Sequence, residues 1–452
     1  PRGGATDNLG DTATFNGVAI SSTGTPSVLA TNRLVREVGG KTLSIWVAND
    51  SWTTTGSKTY LVTDEMVTAL ADYFLQSGEA NDISDWVTPM LGEPWGPHNY
   101  SNLIDDDDSV TILLYDIDND DALPLEEGGV FGLFFNRDNY RRENDEGVTV
   151  VPDSNERVMF YLDSVMLAAR DGDTWESDDW APSEIVSTLA HEYQHMIHFY
   201  QKQVSNGVMS PTSTWVEEMM SMMLEDLLSD KIEKSGPRGI AWSDGTAGEP
   251  GITRGRLPRY NLFNDSSLID WGGGSNELLI DYSLSYAFGA YLLRNYGGPE
   301  VLRALLHNSN TRSPADNKGQ DIVLTALASL DYDLEYGDLL RRWSQAVLLS
   351  HRTDTPQGYR YNRGDYFVYR HGGLTYRLGS INLYNYGFDS NGDTVVDLRG
   401  PYLYSDSLDW AYGRQPDYST YYYLVGTGLT GEIPIELGNI ESDRRIGVVI
   451  RR

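Results

Sequence analysis

One segment of the sequence, STLAHEYQHMIHFY at residues 187–200, constrains the fold more than any other. It holds three of the seven histidines of the chain within eight residues. Apolar residues at helical spacing run along it and predict a buried helix over about residues 183–203. These residues are Ile185, Val186, Leu189, Met196 and Ile197. Because a buried imidazole needs a partner, the histidines either serve a metal ion or are ordinary polar residues of a packed helix.

His191, Glu192 and His195 form the pattern H-E-x-x-H within this segment. Helical residues four positions apart lie on one face, so both imidazoles can reach the same cation. Glu192 projects to the flank, where its carboxylate can contact a metal-bound water without ligating the metal. A pair of surface or core histidines without any metal is the competing interpretation.

His198 returns to the same face of the helix, seven residues after His191. Seven residues rise about 10 Å along a helix axis, whereas zinc–nitrogen bonds are about 2 Å long. One straight helix therefore cannot bring all three imidazoles to one ion. We interpret His198 as a partly buried polar residue or as a group that contacts a metal ligand without binding the ion itself.

A catalytic zinc ion needs a third protein ligand and an open position for water. A second helix is predicted over residues 214–228, TWVEEMMSMMLEDLL, and it carries the adjacent carboxylates of Glu217 and Glu218. A glutamate buried among the apolar residues of this helix is costly unless it is paired or ligates a metal. Either glutamate is a candidate ligand, and a solvent-facing carboxylate pair is the alternative.

The HEYQH motif followed by TWVEEMM resembles the gluzincin metallopeptidases, whose ligands are two histidines of one helix and a glutamate of the next. Within that class the sequence is most similar to the bacterial hyicolysin-like family, over about residues 44–350. The similar stretches are, in order, VTILLYDID, GGVFGLFFNRDNY, SNERVMFYLDS, HEYQHMIHF, TWVEEMMSMM and YSLSYAFGAYLLRNYG. In the W-x-x-E arrangement of these relatives the ligand corresponds to Glu218, with Glu217 as the second candidate. Thermolysin-like members place an aspartate four residues after the ligand, where this chain has Met222.

The resemblance implies a zinc metalloendopeptidase of the gluzincin type that hydrolyses peptide bonds of extracellular proteins. His191, His195 and Glu218 would hold the zinc ion. Glu192 would act as general base toward the metal-activated water and would then protonate the leaving amine.

A hydrogen-bond donor to the oxyanion is expected from the helical part of the chain. Tyr286, in YSLSYAFGAYLL, is the first candidate and Tyr282 the second. The alternative is that both are core residues, because the chain has 29 tyrosines and aromatic residues on a helix face usually pack inside.

Residues 128–135, GGVFGLFF, resemble the edge strand with which gluzincins pair an extended substrate. Exposed backbone groups can bind a peptide by adding it as a further strand, and glycines allow its backbone to approach closely. The predicted substrate-binding residues are Gly129, Val130, Phe131 and Gly132. An interior strand without a ligand is the competing interpretation.

The segment DSNGDTVVD is an oxygen-rich loop spaced like the start of an EF-hand calcium loop. Its candidate calcium ligands are Asp389, Asn391, Asp393 and Asp397. Thr394 stands where the loop needs glycine and Gly400 where it needs glutamate, so a plain turn between strands is the alternative. For a second acidic run, DIDNDDALPLEE at residues 116–127, a charged hairpin loop is the better interpretation.

The order of strand-like and helical segments predicts an α+β fold of several domains, since 452 residues exceed a single core. Its expected centre is a gluzincin-like catalytic unit, with a mixed β-sheet and the active-site helix followed by a mainly helical subdomain. We expect a β-rich N-terminal segment at 1–45, the catalytic subdomains at 46–204 and 205–351, and a β-sandwich-like domain at 352–452. Residues 235–276 are rich in Gly, Pro, Asp and Ser and predict a long loop.

Charge and composition restrict the partners. A formal net charge of −32 argues against nucleic acid, because phosphate binding needs clustered Lys and Arg. No apolar run is long enough to cross a bilayer, and the absence of cysteine excludes thiol catalysis and disulfides. The chain begins at Pro1 without a methionine, as expected of a processed mature form or a trimmed piece. We therefore expect a monomeric bacterial protein, secreted or on the cell surface, that acts on proteins or peptides.

Two other functions remain as alternatives. One is a surface or adhesin-like binding protein in which the peptidase domain is a weakly active or inactive carrier. The other is an aminopeptidase, which needs an acidic anchor for the substrate's amino terminus, and no stretch similar to GAMEN lies beside the edge strand.

Overall fold

The structure is a computed structural model. It describes residues 7–17, 26–105, 108–123, 130–207, 211–242, 247–272, 275–307, 319–388, 398–404, 418–424, 427, 430 and 447–450.

The chain divides into two compact units. The first comprises Pro1–Pro211, Leu228–Lys234 and Arg370–Leu374. The second comprises Thr212–Leu227, Ser235–Tyr369 and Thr375–Arg452. The expected division into four segments stays a prediction.

The first unit is built on one mixed β-sheet. Its strands in the described residues are β1 (Thr12–Asn16), β2 (Ser27–Val38), β3 (Lys41–Ala48), β4 (Ser109–Tyr115), β5 (Gly132–Phe134) and β6 (Met159–Asp163). Their order across the sheet is β1-β2-β3-β4-β6-β5. The central strands β3, β4 and β6 are parallel, and the outer strands pair in antiparallel fashion. The predicted α+β class is confirmed.

The parallel strands are apolar almost throughout because both of their faces are covered. Trp46, Leu113 and Tyr161 pair across the sheet and belong to a buried cluster on one face. Their preceding neighbours point to the opposite face, where Phe160 contacts the ring of Phe74 at 5.9 Å. The sheet is therefore a rigid layer between two apolar cores.

The described residues of the first unit include four α-helices. They are α1 (Asp64–Phe74), α2 (Ile83–Leu91), α3 (Ser164–Ala168) and α4 (Trp180–His198). The side chains of Thr63, Asp82 and Asp163 cap the first three by accepting hydrogen bonds from backbone N–H groups. Helix α4 packs against β5 and β6, at the edge of the sheet. The sheet edge and the histidine helix are thus held together within one unit.

The second unit is mainly helical. Its helices in the described residues are α5 (Thr214–Leu228), α6 (Leu257–Leu262), α7 (Ser275–Asn295), α8 (Pro299–Leu306), α9 (Gln320–Ser329) and α10 (Tyr336–Leu348). Helix α6 and a short 3-10 helix, Gly236–Arg238, lie where the sequence predicted a long loop, so that prediction was too broad. Six residues are too few to show helical periodicity in a Gly- and Pro-rich context.

Helices α5 and α7 are joined inside the second unit by a buried ion pair. A guanidinium nitrogen of Arg294 donates to a carboxylate oxygen of Asp226 at 2.7 Å, and both side chains are fully buried. Arg294 also donates to the carbonyl oxygen of Gly379. Gly289 lets the two helices approach, because a Cβ there would lie 2.8 Å from side-chain atoms of α5. A buried pair with these additional hydrogen bonds fixes the relative position of the helices.

Beyond residue 352 the described residues form two strand pairs. Strands β7 (Phe367–His371) and β8 (Leu374–Leu378) pair with each other, and β9 (Gly387–Phe388) pairs with β10 (Leu398–Arg399). Much of the predicted C-terminal β domain lies outside the described residues, and its sandwich-like form stays a prediction.

Candidate metal centre

The histidine helix α4 begins slightly earlier than the sequence predicts. The backbone N–H of Trp180 donates to a carboxylate oxygen of Asp171 at 3.0 Å, and Pro182 stands in the first turn. The α-helix ends at His198 and continues as a π-helix over Phe199–Ser205. Helical structure therefore runs without a break through the predicted site.

Burial fixes the rotation of α4 about its axis. The predicted apolar stripe is confirmed, since each of its five residues is at most 2% exposed; they are Ile185, Val186, Leu189, Met196 and Ile197. His191 and His195 lie on the flank, with ring centroids 4.9 Å apart. The two imidazoles are thus neighbours one turn apart, as the H-E-x-x-H spacing predicts.

Helix α5 presents the two candidate glutamates on a partly exposed face. Trp215, Val216 and Met219 are buried, whereas Glu217 and Glu218 are partly exposed. Neither glutamate is enclosed by the apolar residues around it, which differs from the burial that the sequence suggested. Partial exposure leaves room for a ligand beside them.

Three potential ligand atoms converge. One ring nitrogen of His191, one of His195 and one carboxylate oxygen of Glu218 all lie within 4.8 Å of one another. In the part of the chain that the structure describes, this is the single group of three or more such residues that could hold a metal ion, and it does not include Glu217.

The donor set fits a catalytic metal site. Zinc bonds to His and Glu ligands are about 2.0–2.2 Å long, so tetrahedral ligand atoms lie about 3.4 Å apart. Ligand atoms that lie within 4.8 Å of one another are close to that separation. Two imidazoles and one carboxylate leave the fourth position open, as in catalytic rather than structural zinc sites.

Glu192 and His198 differ in burial from the three candidate ligands, each of which is partly exposed. Glu192 is 3% exposed and lies next to His191 on α4. His198 is fully buried rather than partly buried, and it is not a member of the group that could hold a metal. This agrees with the helix rise, which carries His198 away from an ion held by the other two histidines.

Tyr286 is fully buried on α7. Its hydroxyl has no hydrogen-bond partner among the described residues. Burial raises the pKa of Tyr286 well above its ordinary value, and Asp226 raises it further, while Arg294 opposes the rise. The hydroxyl is therefore protonated at neutral pH and can act only as a neutral donor or acceptor.

Tyr282, one turn earlier, has different surroundings. It is partly exposed, its ring contacts Trp271 edge-on at 5.1 Å, and the guanidinium of Arg256 lies 5.1 Å from the ring centroid. The oxyanion role of either tyrosine stays a prediction.

The predicted edge strand lies at the edge of the sheet, antiparallel to β6. Gly132 begins β5, while Phe131 precedes it and accepts a hydrogen bond from the backbone N–H of Asp163 at 2.9 Å. The N–H of Val130 donates to a carboxylate oxygen of Asp118 at 3.3 Å. Gly129 lies outside the described residues. Strand β5 is shorter than the eight residues that the sequence suggested.

Gly132 permits a close approach between β5 and the histidine helix. A Cβ there would lie 2.7 Å from Cγ2 of Thr188, on α4, and 2.9 Å from the carbonyl oxygen of Tyr161. Thr188 stands three residues before His191. The glycine therefore sets the spacing between the sheet edge and the helix that carries the histidines.

The predicted calcium ligands lie outside the described residues; they are Asp389, Asn391, Asp393 and Asp397. In the other acidic run, a carboxylate oxygen of Asp116 accepts from the ammonium of Lys58 at 2.6 Å and from the backbone N–H of Asp121 at 2.9 Å. A lysine thus compensates the charge of Asp116 in this loop.

None of the described helices is long and apolar enough to cross a membrane.

Comparison with known proteins gives a family match and a curated relative. A sequence profile described as peptidase M30 matches residues 23–369. A neutral metalloprotease, ShpI, of Staphylococcus hyicus is 26% identical over 282 residues, which are 62% of this chain and 51% of the relative. The chain therefore spans about half the length of the curated relative that it matches.

The family match covers most of the chain and includes both helices that carry the candidate ligands. The expected similarity to the hyicolysin-like metallopeptidases is confirmed. On this evidence the chain belongs to the peptidase M30 family.

Proposed function

We propose that this chain is a zinc-dependent endopeptidase of the gluzincin type. The observation that carries the proposal is the convergence of His191, His195 and Glu218 within 4.8 Å. The mixed sheet, the histidine helix and the helices that follow form, on this proposal, a gluzincin-like catalytic unit. Family membership and the metalloprotease relative support it.

His191 and His195 would each give a ring nitrogen to the ion, and Glu218 would give a carboxylate oxygen. Zinc is the metal that this mixed nitrogen and oxygen donor set favours in hydrolases. When bound, zinc supplies Lewis-acid polarisation of the substrate carbonyl and lowers the pKa of water to about 7.

Glu192 is positioned to move the proton. Its place beside His191, and its burial, hold the carboxylate close to the reacting atoms and away from bulk water. Glu192 accepts a proton from the attacking water and donates it to the leaving nitrogen of the peptide.

Tyr286 is the first candidate donor to the oxygen of the tetrahedral intermediate, and Tyr282 is the second. A buried hydroxyl without a hydrogen-bond partner among the described residues supports Tyr286, because such a group is stabilised by an acceptor.

The substrate backbone would lie along the segment that contains Val130, Phe131 and Gly132, as an added strand; Gly129 extends the same proposal. The edge position of β5 supports this, because the outer side of an edge strand has unpaired backbone groups. We further propose extracellular protein substrates and a secreted or cell-surface location, supported by the net charge of −32 and the absence of cysteine.

Replacing Glu192 with Gln tests the mechanism. Gln keeps the size of the side chain but cannot accept the proton, so peptide hydrolysis should fall by roughly 10²- to 10⁴-fold while zinc stays bound. The measurements are kcat on a quenched fluorescent peptide and zinc content by mass spectrometry.

Glu176→Gln is the matched control, because Glu176 is exposed and precedes α4. It should change neither kcat nor zinc content. Turnover by Glu192→Gln at the wild-type rate would contradict the mechanism. Stoichiometric zinc without any proteolysis by the wild type would favour a binding protein instead.

A further inference from the structure

A cavity of about 240 Å³ lies at the end of the histidine helix, within the first unit. Its lining consists of residues 99–103, Tyr140, Phe199, Gln203 and Val204. None of the sequence patterns predicted it, because its walls come from three separate stretches of the chain.

The helix that carries the metal ligands also forms one wall of the cavity. Phe199 is four residues after His195, and the π-helix begins at Phe199. In a π-helix, residues four and five positions apart share a face, which brings Gln203 and Val204 beside Phe199. Such π-helical stretches are frequent at functional sites.

The edge strand reaches the same wall. The ring of Phe134, the last residue of β5, lies 6.1 Å from the ring of Phe199. The ring centroids of Tyr140 and Phe199 lie 6.2 Å apart. A peptide paired with β5 would therefore run toward the cavity, whose wall includes Phe199, four residues after His195.

The lining is uncharged. Aromatic and aliphatic side chains are combined with the amide and hydroxyl groups of Asn99, Ser101, Asn102 and Gln203, and none of the described residues that line the cavity is Asp, Glu, Lys or Arg. A charged side chain entering it would lose hydration without gaining a counter-ion. An aromatic or aliphatic side chain would gain apolar contacts and has room at this volume.

We propose that this cavity is a specificity pocket that takes an uncharged aromatic or aliphatic side chain of the peptide substrate. The proposal rests on the proposed peptidase function and adds a preference to it. Four residues of α4 rise about 6 Å from His195 to Phe199, and an extended peptide advances about 3.3 Å per residue. The side chain that enters the pocket thus belongs to a residue about two positions from the cleaved bond.

Gln203→Glu tests the proposal by placing a carboxylate in the wall. Gln203 is partly exposed, so the fold should tolerate the charge. The variant should raise kcat/KM for Lys relative to Leu at that substrate position by about fivefold, the effect of one solvent-facing charge pair. The measurement uses quenched peptides that differ at one position among Leu, Phe, Lys and Glu, with the cleaved bond located by mass spectrometry.

Asn206→Asp is the matched control, because Asn206 is exposed at the end of the π-helix and does not line the cavity. It adds the same charge and should leave the preference of the wild type unchanged. Tyr100→Ala is a second variant; Tyr100 is 37% exposed, and its loss should relax the preference between Leu and the larger Phe. Circular dichroism and zinc content establish that each variant is folded and loaded.

The outcomes separate the pocket from the peptidase function. If the zinc-loaded wild type cleaves these peptides and both variants show the same preference as the wild type at every position, the pocket is refuted and the peptidase stands. If the zinc-loaded wild type cleaves no peptide or protein, the peptidase function fails, and the pocket fails with it.

Discussion

The hydroxyl of Tyr286 is a residue-scale feature that packing alone does not explain. A buried hydroxyl without a partner costs free energy, and phenylalanine would avoid that cost. If Tyr286 donates to the oxyanion, Tyr286→Phe should lower kcat by roughly 10²-fold while zinc content and thermal stability are retained. Single-turnover cleavage of a peptide measures the effect.

Tyr282→Phe is the companion variant at the residue scale. It should leave kcat nearly unchanged, because Tyr282 packs on Trp271 and under Arg256. A loss of turnover in Tyr282→Phe, with a normal rate in Tyr286→Phe, would transfer the role to Tyr282. If neither variant changes turnover, neither tyrosine donates to the oxyanion, and both serve only in packing.

The pairing of His191 and His195 could be predicted from the sequence because its signal is local. The four-residue spacing of His191 and His195 places two imidazoles on one helix face wherever that helix packs. The choice of Glu218 over Glu217 depended on the family resemblance, because spacing alone allowed either glutamate. The full burial of His198 and the partial exposure of both glutamates could not be predicted, because they depend on residues that are distant in sequence.

At the scale of elements, the contact between β5 and α4 depends on Gly132. Alanine there would place a Cβ 2.9 Å from the backbone oxygen of Tyr161 and 2.7 Å from Thr188. Gly132→Ala should therefore destabilise the fold by about 1–3 kcal/mol and raise KM more than it lowers kcat. Denaturant unfolding and steady-state kinetics measure the two effects.

Gly172→Ala is the control for Gly132→Ala, because a Cβ at Gly172 meets no atom within 4 Å. It should change neither stability nor KM. Unchanged stability and KM in Gly132→Ala would show that the strand and the helix do not need this close approach.

Asp163, the last residue of β6, is hydrogen-bonded to α3 and to the segment after β4. The raised pKa of its carboxyl group predicts that the stability of the fold depends on pH. Its carboxylate accepts from the backbone N–H groups of Met166 and Ile117, and burial raises its pKa from 3.8 to about 7. Between these values the folded chain holds a proton that the unfolded chain has released. The contribution of Asp163 to stability should therefore fall as the pH rises from about 4 to about 7.

Asp163→Asn removes this titration. The free energy of unfolding of the wild type minus that of the variant should decrease as the pH rises from about 4 to about 7, by at most about 1.4 kcal/mol per pH unit. Asp173→Asn, at an exposed position, should show no such slope. A pH-independent difference for Asp163→Asn would refute the raised pKa.

Periodicity predicted most helices but not all of them. Helix α1 and helices α7 to α10 lie where helical spacing recurs in the sequence. Helix α2 was not predicted, because its nine residues include Pro89 and follow a Gly- and Asn-containing turn. The edge position of β5 came from resemblance, since neither alternation nor glycine content fixes the neighbours of a strand.

At the scale of the whole molecule, the contacts between segments that are distant in the chain could not be predicted from the sequence. Arg294 and Asp226 are 68 residues apart and form a fully buried pair. The cavity beside Phe199 combines residues 99–103 with the end of α4. Such groupings depend on how the elements pack, and no local sequence pattern predicts them.

Bound metal per chain, measured by mass spectrometry on dialysed protein, tests the central claim most directly. Wild type and Glu217→Gln should each hold one zinc ion. Glu218→Gln should lose it. Its affinity for zinc should fall by more than the 10- to 100-fold that is typical when a residue that only hydrogen-bonds a metal ligand is mutated. Wild type without zinc, or Glu218→Gln with the zinc content of the wild type, would contradict a site formed by His191, His195 and Glu218.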